Sequence, residues 1–289
     1  MNFEDIIYAQ KEKLPDWVKE KFQECLLAID IDGTLLEHGK PFSVQMKKSI
    51  KKIANSGIIF CIATGRGILS LKIILKELGI NKCHAVCSNG AVVASFDPSY
   101  KNGYKVLWQK DFIPKNIIQT LEKNFERPYY ALEETENGYY VNEIFPKNTI
   151  FGKQIKITDY SIIEKPTRRL LVSLPGLSQN EIIKKLKNID CSEVECTLGQ
   201  ISWLDITAKN INKKLGLEKI IDMLSLNKEY SIAVGDGDND KKMFQLVAHA
   251  VAMGNASEDV KKYANAITGT VYEDGCAALF EAIIQTLYK

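Results

Sequence analysis

Short apolar runs alternate with amphipathic stretches in the first and last thirds of the chain. Five runs are continuous enough for strands buried on both faces, namely residues 25–29, 58–63, 85–87, 231–234 and 250–253. The stretches that separate them repeat apolar residues at helical spacing, with an N-cap at Ser43 in the first, and a closing helix is predicted from Gly275. Strands that alternate with helices in this way predict a parallel α/β sheet.

Residues 95–205 have a different pattern. They are richer in aromatic residues, and turn signals separate shorter strand-like runs. Ser178, with Glu181 three residues later, forms a capping-box pattern that predicts the start of a helix. We therefore predict an α/β protein with a Rossmann-like parallel-sheet core domain, residues 1–94 and 206–289, and an inserted smaller α/β cap domain, residues 95–205.

Length and charge exclude several classes of protein. The chain has 289 residues, enough for two domains, and 45% of them are hydrophobic. No apolar run approaches the roughly twenty residues of a membrane span, and a net charge of +2 gives no general attraction to nucleic acid or to an anionic membrane. The first residues are acidic and no apolar signal segment follows. We expect a cytoplasmic protein, a monomer or weak homodimer, without nucleic-acid or membrane partners.

Seven cysteines, an odd number, occur mostly in apolar runs. This distribution indicates reduced core thiols rather than a disulfide framework. A zinc site formed by Cys83, His84 and Cys87 is the alternative, although the spacing differs from that of a standard zinc finger. We assign no chemistry to the cysteines at this stage.

Acidic residues follow the predicted strands of the core. Asp30 and Asp32 come directly after the first strand, and Asp236 comes after the strand at 231–234. The carboxyl ends of parallel strands share one edge of the sheet, so these acids are expected to converge. Two like charges about 4 Å apart repel by roughly 4 kcal/mol at an effective dielectric constant of about 20, so the group needs protons or a cation. Ligands that are all oxygen favour Mg²⁺ over zinc or copper.

Two other motif interpretations are weaker. The acids at 236–240 begin like an EF-hand loop, but Lys241 stands where that loop needs glycine, and Val247 stands where it needs glutamate. The Gly65–Gly67 segment has the first two glycines of a dinucleotide-binding loop, but Ser70 replaces the third. Neither motif is complete.

Two acidic motifs follow buried strands, Asp30-x-Asp32-Gly33-Thr34 and Gly235-Asp236-x-x-Asn239-Asp240. Together they resemble the motifs of the haloacid dehalogenase superfamily of phosphotransferases. Thr64, at the end of the second strand, and Lys213, after the inserted segment, match two further motif positions. Taken singly, each could be a cap or a surface residue, but their joint order at successive strand ends favours the family. Within it, the chain resembles the Cof-type phosphatases, which carry a large α/β cap of the C2 type.

The resemblance implies a phosphoric monoester hydrolase that works through an aspartyl-phosphate intermediate. Asp30 would attack phosphorus, and Asp32 would protonate the leaving alkoxide and later deprotonate the attacking water. Mg²⁺ would be held by the carboxylates of Asp30 and Asp236 and by the backbone carbonyl of Asp32. Asp240 and Asn89 would support these residues.

The resemblance also implies how the substrate is bound. Thr64, Gly65, Lys213 and Asn239 would bind the remaining phosphoryl oxygens. Relatives of this type act on sugar phosphates and pyridoxal phosphate, so the implied substrate is a small phosphorylated metabolite. Six cap side chains either contact it or form the cap core: Arg168, Arg169, Tyr129, Tyr130, Tyr139 and Tyr140. Two alternatives stay open, a phosphosugar mutase and a non-catalytic phosphometabolite-binding protein.

Overall fold

The computed structural model describes residues 2–134, 138–147, 149–199 and 202–287. Its helices are α1 (Phe3–Lys11), α2 (Trp17–Glu20), α3 (Val44–Ala54), α4 (Ile68–Leu78), α5 (Lys115–Asn124), α6 (Gln179–Leu186), α7 (Lys213–Leu224), α8 (Lys241–Phe244), α9 (Glu258–Lys261) and α10 (Gly275–Thr286). Its strands are β1 (Leu26–Ile29), β2 (Ile59–Ala63), β3 (Cys83–Cys87), β4 (Val92–Phe96), β5 (Tyr104–Gln109), β6 (Tyr129–Glu134), β7 (Gly138–Val141), β8 (Lys153–Lys156), β9 (Leu170–Ser173), β10 (Val194–Leu198), β11 (Trp203–Ala208), β12 (Ser231–Gly235), β13 (His249–Ala252) and β14 (Ala266–Ile267). Among the helices in this part of the chain, none combines the length and the apolar character that crossing a membrane requires.

The chain forms two compact units. The first consists of Met1–Thr64, Ile73–Trp108 and Asn212–Lys289, and the second of Gly65–Lys72 and Gln109–Ile211. The second unit therefore contains the loop after β2 and the start of α4 as well as the long middle segment.

The first unit is built on an eight-stranded sheet with the order β14-β13-β12-β1-β2-β3-β4-β5. Neighbouring strands from β14 to β3 run parallel, and β4 returns antiparallel to β3. β1 lies between β12 and β2, and all four of its residues are buried. A strand covered on both faces has to be apolar throughout, which explains why Leu26–Ile29 contains no polar residue. The predicted α/β fold with a parallel sheet is confirmed.

Short-range capping signals in the sequence set the starts of two helices. At α3, the Ser43 hydroxyl accepts a hydrogen bond from the backbone N–H of Met46 at 2.8 Å. At α6, the backbone N–H of Ser178 donates to Glu181 Oε2 at 2.8 Å, and the Ser178 hydroxyl in turn accepts from the Glu181 backbone N–H. Such caps satisfy backbone donors that have no partner inside the helix.

The limits of the two units differ from the predicted limits at 94/95 and 205/206. β4 pairs with β3 as far as Phe96 and β5 lies next to β4, so residues 95–108 stay in the first unit. At the other limit, β11 remains paired with β10 as far as Ala208, so residues 206–211 stay in the second unit. A local sequence pattern shows that a segment is a strand, but it does not show which sheet that strand joins.

The second unit is built on a six-stranded sheet with the order β10-β11-β9-β6-β7-β8. Its strand pairs are antiparallel except for β7 and β8, which run parallel. Helices α5 and α6 supply Ile118, Leu121 and Ile182 to a buried cluster that also contains Leu170 of β9 and Leu204 of β11. The sheet and the two helices form the smaller α/β fold that the sequence predicts.

The N-terminal helix α1 packs on the C-terminal helix α10. Ile6 and Ile7 are buried with Ala278 and Ala282 of α10. The Gln10 side chain donates from Nε2 to the backbone carbonyl of Ile267 at 3.0 Å. Because Ile267 belongs to the edge strand β14, α1 gives a hydrogen-bond partner to one backbone carbonyl at the edge of the sheet.

Truncation of Ile6 to alanine tests the contribution of α1. Ile6 is 1% exposed, so Ile6→Ala is expected to lower the free energy of unfolding by about 2–5 kcal/mol through lost burial and a new cavity. Tyr8→Ala is the matched control, because Tyr8 lies on the same helix, is 66% exposed and is expected to change stability by less than about 0.5 kcal/mol. Urea denaturation of both variants measures the difference, and equal stabilities would show that α1 does not stabilise the fold.

Candidate active site

The carboxyl ends of the central strands bring the predicted acids to one edge of the first sheet. In the parallel register, Ile29 at the end of β1 lies between Val234 of β12 and Ile62 of β2. Asp30 follows directly, and its backbone N–H donates to the Val234 carbonyl at 3.0 Å. Asp236 follows the end of β12 in the same way. The register of the sheet therefore places the two carboxylates on neighbouring strand ends.

A buried lysine joins two of the acids. Lys213 Nζ donates to Asp30 Oδ1 at 2.5 Å and to Asp240 Oδ1 at 2.7 Å, and the lysine side chain is 0% exposed. Lys213 is the first residue of α7, where the Asn212 side chain caps the helix by accepting from the Leu215 N–H at 3.1 Å. The cap fixes the start of the helix and with it the position of the ammonium group.

Asp240 is held from two directions. Its Oδ1 accepts from Lys213, and its Oδ2 accepts from the backbone N–H groups of Asp236 and Gly237, both at 2.9 Å. Both oxygens are therefore used inside the protein. The neighbouring Asp238 is 84% exposed and pairs with Lys241 at the surface. Asp240 supports the loop after β12, whereas Asp238 faces solvent.

Asp236 is oriented by two residues that were absent from the predicted site. The Thr34 hydroxyl donates to Asp236 Oδ1 at 2.9 Å. Asn255 Nδ2 donates to the Gly33 carbonyl at 2.9 Å and lies 3.4 Å from Asp236 Oδ2. Asn255 follows β13, so the rule that polar residues at strand ends gather at the ligand edge would have identified it.

Gly33 allows the loop after β1 to approach Asp236. Its φ is +86°, in the left-handed region, and a Cβ atom there would lie 2.1 Å from Asp236 Oδ2. Only glycine has this backbone freedom without a side chain. The close approach brings the Asp30 loop and the Asp236 loop together.

The acids have the composition of a divalent-cation site. Among the described residues, carboxylate oxygens of Asp30, Asp236 and Asp240 lie within 4.8 Å of one another. Each of the three residues can offer one carboxylate oxygen to a metal ion. Oxygen-only donors of this kind suit Mg²⁺.

Electrostatics support the same assignment. Burial raises the pKa of Asp30 well above its usual value; Lys213 opposes this shift, and Asp240, Asp236 and Asp32 add to it. Burial, and then repulsion by Asp240, raises the pKa of Asp236 to about 7. Burial opposes the charge of Lys213, but Asp240 and Asp30 outweigh burial and raise its pKa. One ammonium group thus leaves carboxylate charge uncompensated, which a divalent cation would balance.

The remaining predicted residues of the first unit lie around this centre. Thr64 is fully buried at the end of β2, and its backbone carbonyl accepts from the Asn89 N–H at 3.1 Å. Asn239 Nδ2 donates to Asn89 Oδ1 at 3.0 Å. Asn89 therefore connects Thr64 to Asn239. Asp32 is partly buried, and its charge is close enough to Asp30 and Asp236 to raise the pKa of both.

Asn89 lies in a strained turn. Ser88 and Asn89 have φ values of +51° and +53°, in the left-handed region, and Gly90 follows with +108°. Asparagine tolerates this region better than most residues, whereas serine does so at an energetic cost. The turn places the Asn89 backbone N–H at the Thr64 carbonyl and the Asn89 side-chain oxygen at the Asn239 amide.

Gly65 belongs to the second unit, where the Arg169 guanidinium donates to its carbonyl. Arg169 is 4% exposed; it also pairs with Glu133 Oε2 at 2.8 Å and donates to the Tyr139 hydroxyl at 2.8 Å. Tyr130 is buried too, and its hydroxyl donates to Glu122 at 3.2 Å. Arg169, Tyr130 and Tyr139 are thus buried in the interior of the second unit. The phosphate-binding role of Gly65 stays a prediction.

Comparisons with known proteins agree with the motifs. The sequence profile of the family described as haloacid dehalogenase-like hydrolase matches residues 27–280. The 5-amino-6-(5-phospho-D-ribitylamino)uracil phosphatase YcsE of Bacillus subtilis is 28% identical over 252 residues, which cover 87% of this chain and 92% of that protein. The phosphatase YwpJ of Bacillus subtilis is 26% identical, over 90% of this chain and 99% of YwpJ. A haloacid dehalogenase-like hydrolase from Bacteroides thetaiotaomicron has the same fold, with a TM-score of 0.75 at 21% identity over 90% of this chain and 99% of that chain.

Asp236→Asn tests the electrostatic description. Between the ordinary aspartate pKa near 3.9 and the folded value of about 7, the folded state binds more protons than the unfolded state, so this carboxylate destabilises the fold as pH rises through that window. In EDTA at about pH 8, we expect the variant to be more stable than the wild type by roughly 1–4 kcal/mol. The gain should shrink as the pH falls and vanish near pH 4, below which both states are protonated.

Urea denaturation across this pH range measures the effect. Asp238→Asn removes a charge from the same loop at an exposed position, so it is the control and should change stability by less than about 1 kcal/mol. If Asp236→Asn gives no gain near pH 8, or the same gain at every pH, the assigned charge imbalance is wrong.

Proposed function

This chain belongs to the haloacid dehalogenase-like hydrolase family, and from that premise we propose the reaction that it catalyses. It is a phosphatase that hydrolyses small phosphorylated metabolites with Mg²⁺ through an aspartyl-phosphate intermediate. The observation that carries the proposal is the buried Lys213 ammonium, 2.5 Å from Asp30 and 2.7 Å from Asp240, beside the carboxylate of Asp236. A nucleophile, a cation for phosphoryl oxygens and an acid pair for a metal thus share one edge of the sheet.

Asp30 acts as the nucleophile. Lys213 binds Oδ1, so Oδ2 is the oxygen that we assign to the attack on phosphorus. The bond from Oδ2 to phosphorus forms as the bond from phosphorus to the ester oxygen breaks, and Asp32 gives its proton to the leaving alkoxide. Asp32 then takes a proton from water, whose oxygen attacks the aspartyl-phosphate and releases inorganic phosphate and free Asp30.

Lys213, Thr64 and Asn239 bind the phosphoryl oxygens that do not react. Fixed positive charge and hydrogen-bond donors stabilise the negative charge that spreads over these oxygens in the transition state. Mg²⁺ held by the carboxylates of Asp30 and Asp236, with the backbone carbonyl of Asp32, would neutralise the charge of the phosphoryl group and so allow one anion to approach another. Asn89 holds the Thr64 and Asn239 positions relative to each other.

A small phosphate ester is the proposed substrate. The relative YcsE is named for a substrate whose phosphate is carried by a ribityl chain. Phosphorylated polyols and sugars are therefore the first candidates for this chain, with pyridoxal phosphate next. The second unit is proposed to be the cap that selects the leaving group. We also propose a cytoplasmic location, because no disulfide forms among the described residues, which include all seven cysteines.

Asp30→Asn is expected to reduce phosphate release at least about 1,000-fold while Asp238→Asn stays near the wild-type rate. Asparagine retains an oxygen for Lys213 but cannot form the acyl-phosphate, so the variant should fold normally by circular dichroism. Released phosphate is measured with a generic aryl phosphate in Mg²⁺. An Asp30→Asn variant that retains activity would remove the nucleophile assignment.

Dialysis against EDTA should abolish turnover, and added Mg²⁺ should restore it. Activity that persists in EDTA would contradict the metal assignment. A panel of phosphorylated polyols, sugars and vitamins then identifies the substrate, with inorganic phosphate and isomerised sugar phosphate measured in the same reaction. Isomer formed without phosphate release would identify a mutase instead.

A further inference from the structure

Two of the seven cysteines differ from the other five in their surroundings. Cys25, Cys61, Cys83, Cys87 and Cys276 are buried in the first unit. Burial raises the pKa of Cys25 and of Cys83 to about 12, and raises the pKa of Cys61 and Cys276 well above its usual value. Cys191 and Cys196 are partly exposed in the second unit. Access to reagents in solution is therefore expected at this pair and not at the buried thiols.

The two partly exposed thiols are in contact. The Cys196 thiol donates to the Cys191 sulfur, with the two Sγ atoms 3.6 Å apart. A disulfide needs a sulfur separation of about 2 Å, so closing the bond requires a shift of roughly 1.6 Å. The side chains already point toward each other, and only four residues separate them in the chain.

The backbone around the pair permits this shift. Cys196 lies on β10, the edge strand of the second sheet, where the ladder pairs it with Ile206 of β11. Cys191 lies in the turn before β10, and its carbonyl accepts from the Val194 N–H at 3.2 Å. One sulfur is thus fixed by the sheet, while the other is carried by a turn outside any strand or helix, which can adjust more readily.

The hydrogen bond sets the order of reaction. Cys196 donates its S–H to the Cys191 sulfur, so the Cys196 proton is engaged inside the pair. Burial raises the pKa of Cys196, and Cys191 raises it further, which keeps the proton on Cys196. Cys191 is the attacking thiol, and Cys196 reacts second.

We propose that Cys191 and Cys196 form a thiol-modification site that reacts with low-molecular-weight disulfides and closes into a reversible intramolecular disulfide. The Cys191 thiolate attacks one sulfur of the reagent, RSSR, forming a mixed disulfide and releasing RS⁻, which takes up a proton. The Cys196 sulfur then attacks Cys191 Sγ, loses its proton and releases the second RSH. Two thiols of the protein are oxidised and one RSSR is reduced to two RSH. The proposal is independent of the phosphatase assignment, because no active-site residue takes part.

The test treats the folded full-length protein with oxidised glutathione and locates the products by peptide mass spectrometry after alkylation of the remaining thiols. In the wild type, we expect the peptide that contains both cysteines to lose two hydrogens, with no retained glutathione and with the other five thiols unmodified. A reducing agent should reverse the change. Denatured protein is the control, because all seven thiols should then react.

Two variants distinguish a site from random thiol chemistry. Cys196→Ser removes the second thiol, so it should retain one glutathione on Cys191. Cys191→Ser removes the attacking thiol, so modification of Cys196 should be at least about tenfold slower. The proposal is overturned if the wild type forms no cross-link between Cys191 and Cys196, if both retain glutathione, or if the buried thiols react as fast in the folded protein. Neither variant is expected to change phosphate release, so loss of phosphatase activity would be a separate result.

Discussion

The buried ammonium of Lys213 is the interaction on which the rest of the first unit depends. A charge removed from water is tolerated only with partners of opposite charge close by, and Asp30 and Asp240 supply them. Asp240 in turn accepts from the backbone at Asp236 and Gly237. One hydrogen-bonded chain therefore links the start of α7 to the ends of β1 and β12. Loss of Lys213 would leave two buried carboxylates without the ammonium that they share, whereas loss of either acid would leave Lys213 with the other.

The same arrangement explains why the site favours a cation. The carboxylates that surround Lys213 outnumber its single charge, and the loops that carry them are pressed together at Gly33. Thr34 and Asn255 orient Asp236 without adding charge. The fold thus assembles an excess of negative charge in a fixed geometry. Under this condition, one carboxylate can bind a metal ion and another can act as a nucleophile.

Much of the first unit was predictable because its strands and helix starts are set by residues close together in the sequence. Apolar runs identified the buried strands, Ser43 identified the start of α3, and the acids at strand ends identified the edge of the sheet where they meet. The strand-end rule points to Asn255 as a site residue, but its contact with Asp236, nineteen residues away, depends on how the strands pack. The limits of the two compact units differ from the predicted domain limits for a similar reason. Residues 95–108 look like the start of a new domain, and only their pairing with β3 and β4 assigns them to the first sheet.

The central position of β1 has a consequence for synthesis of the chain. One neighbour of β1, the strand β2, follows it after a single helix, but the other, β12, is translated only after the entire middle segment. Until β12 has been translated, one side of this apolar strand has no native partner. The longer part of the second unit is finished before β12 emerges, so we expect it to acquire structure on the nascent chain first. Before β12 emerges, we expect β1 to be a segment that chaperones bind.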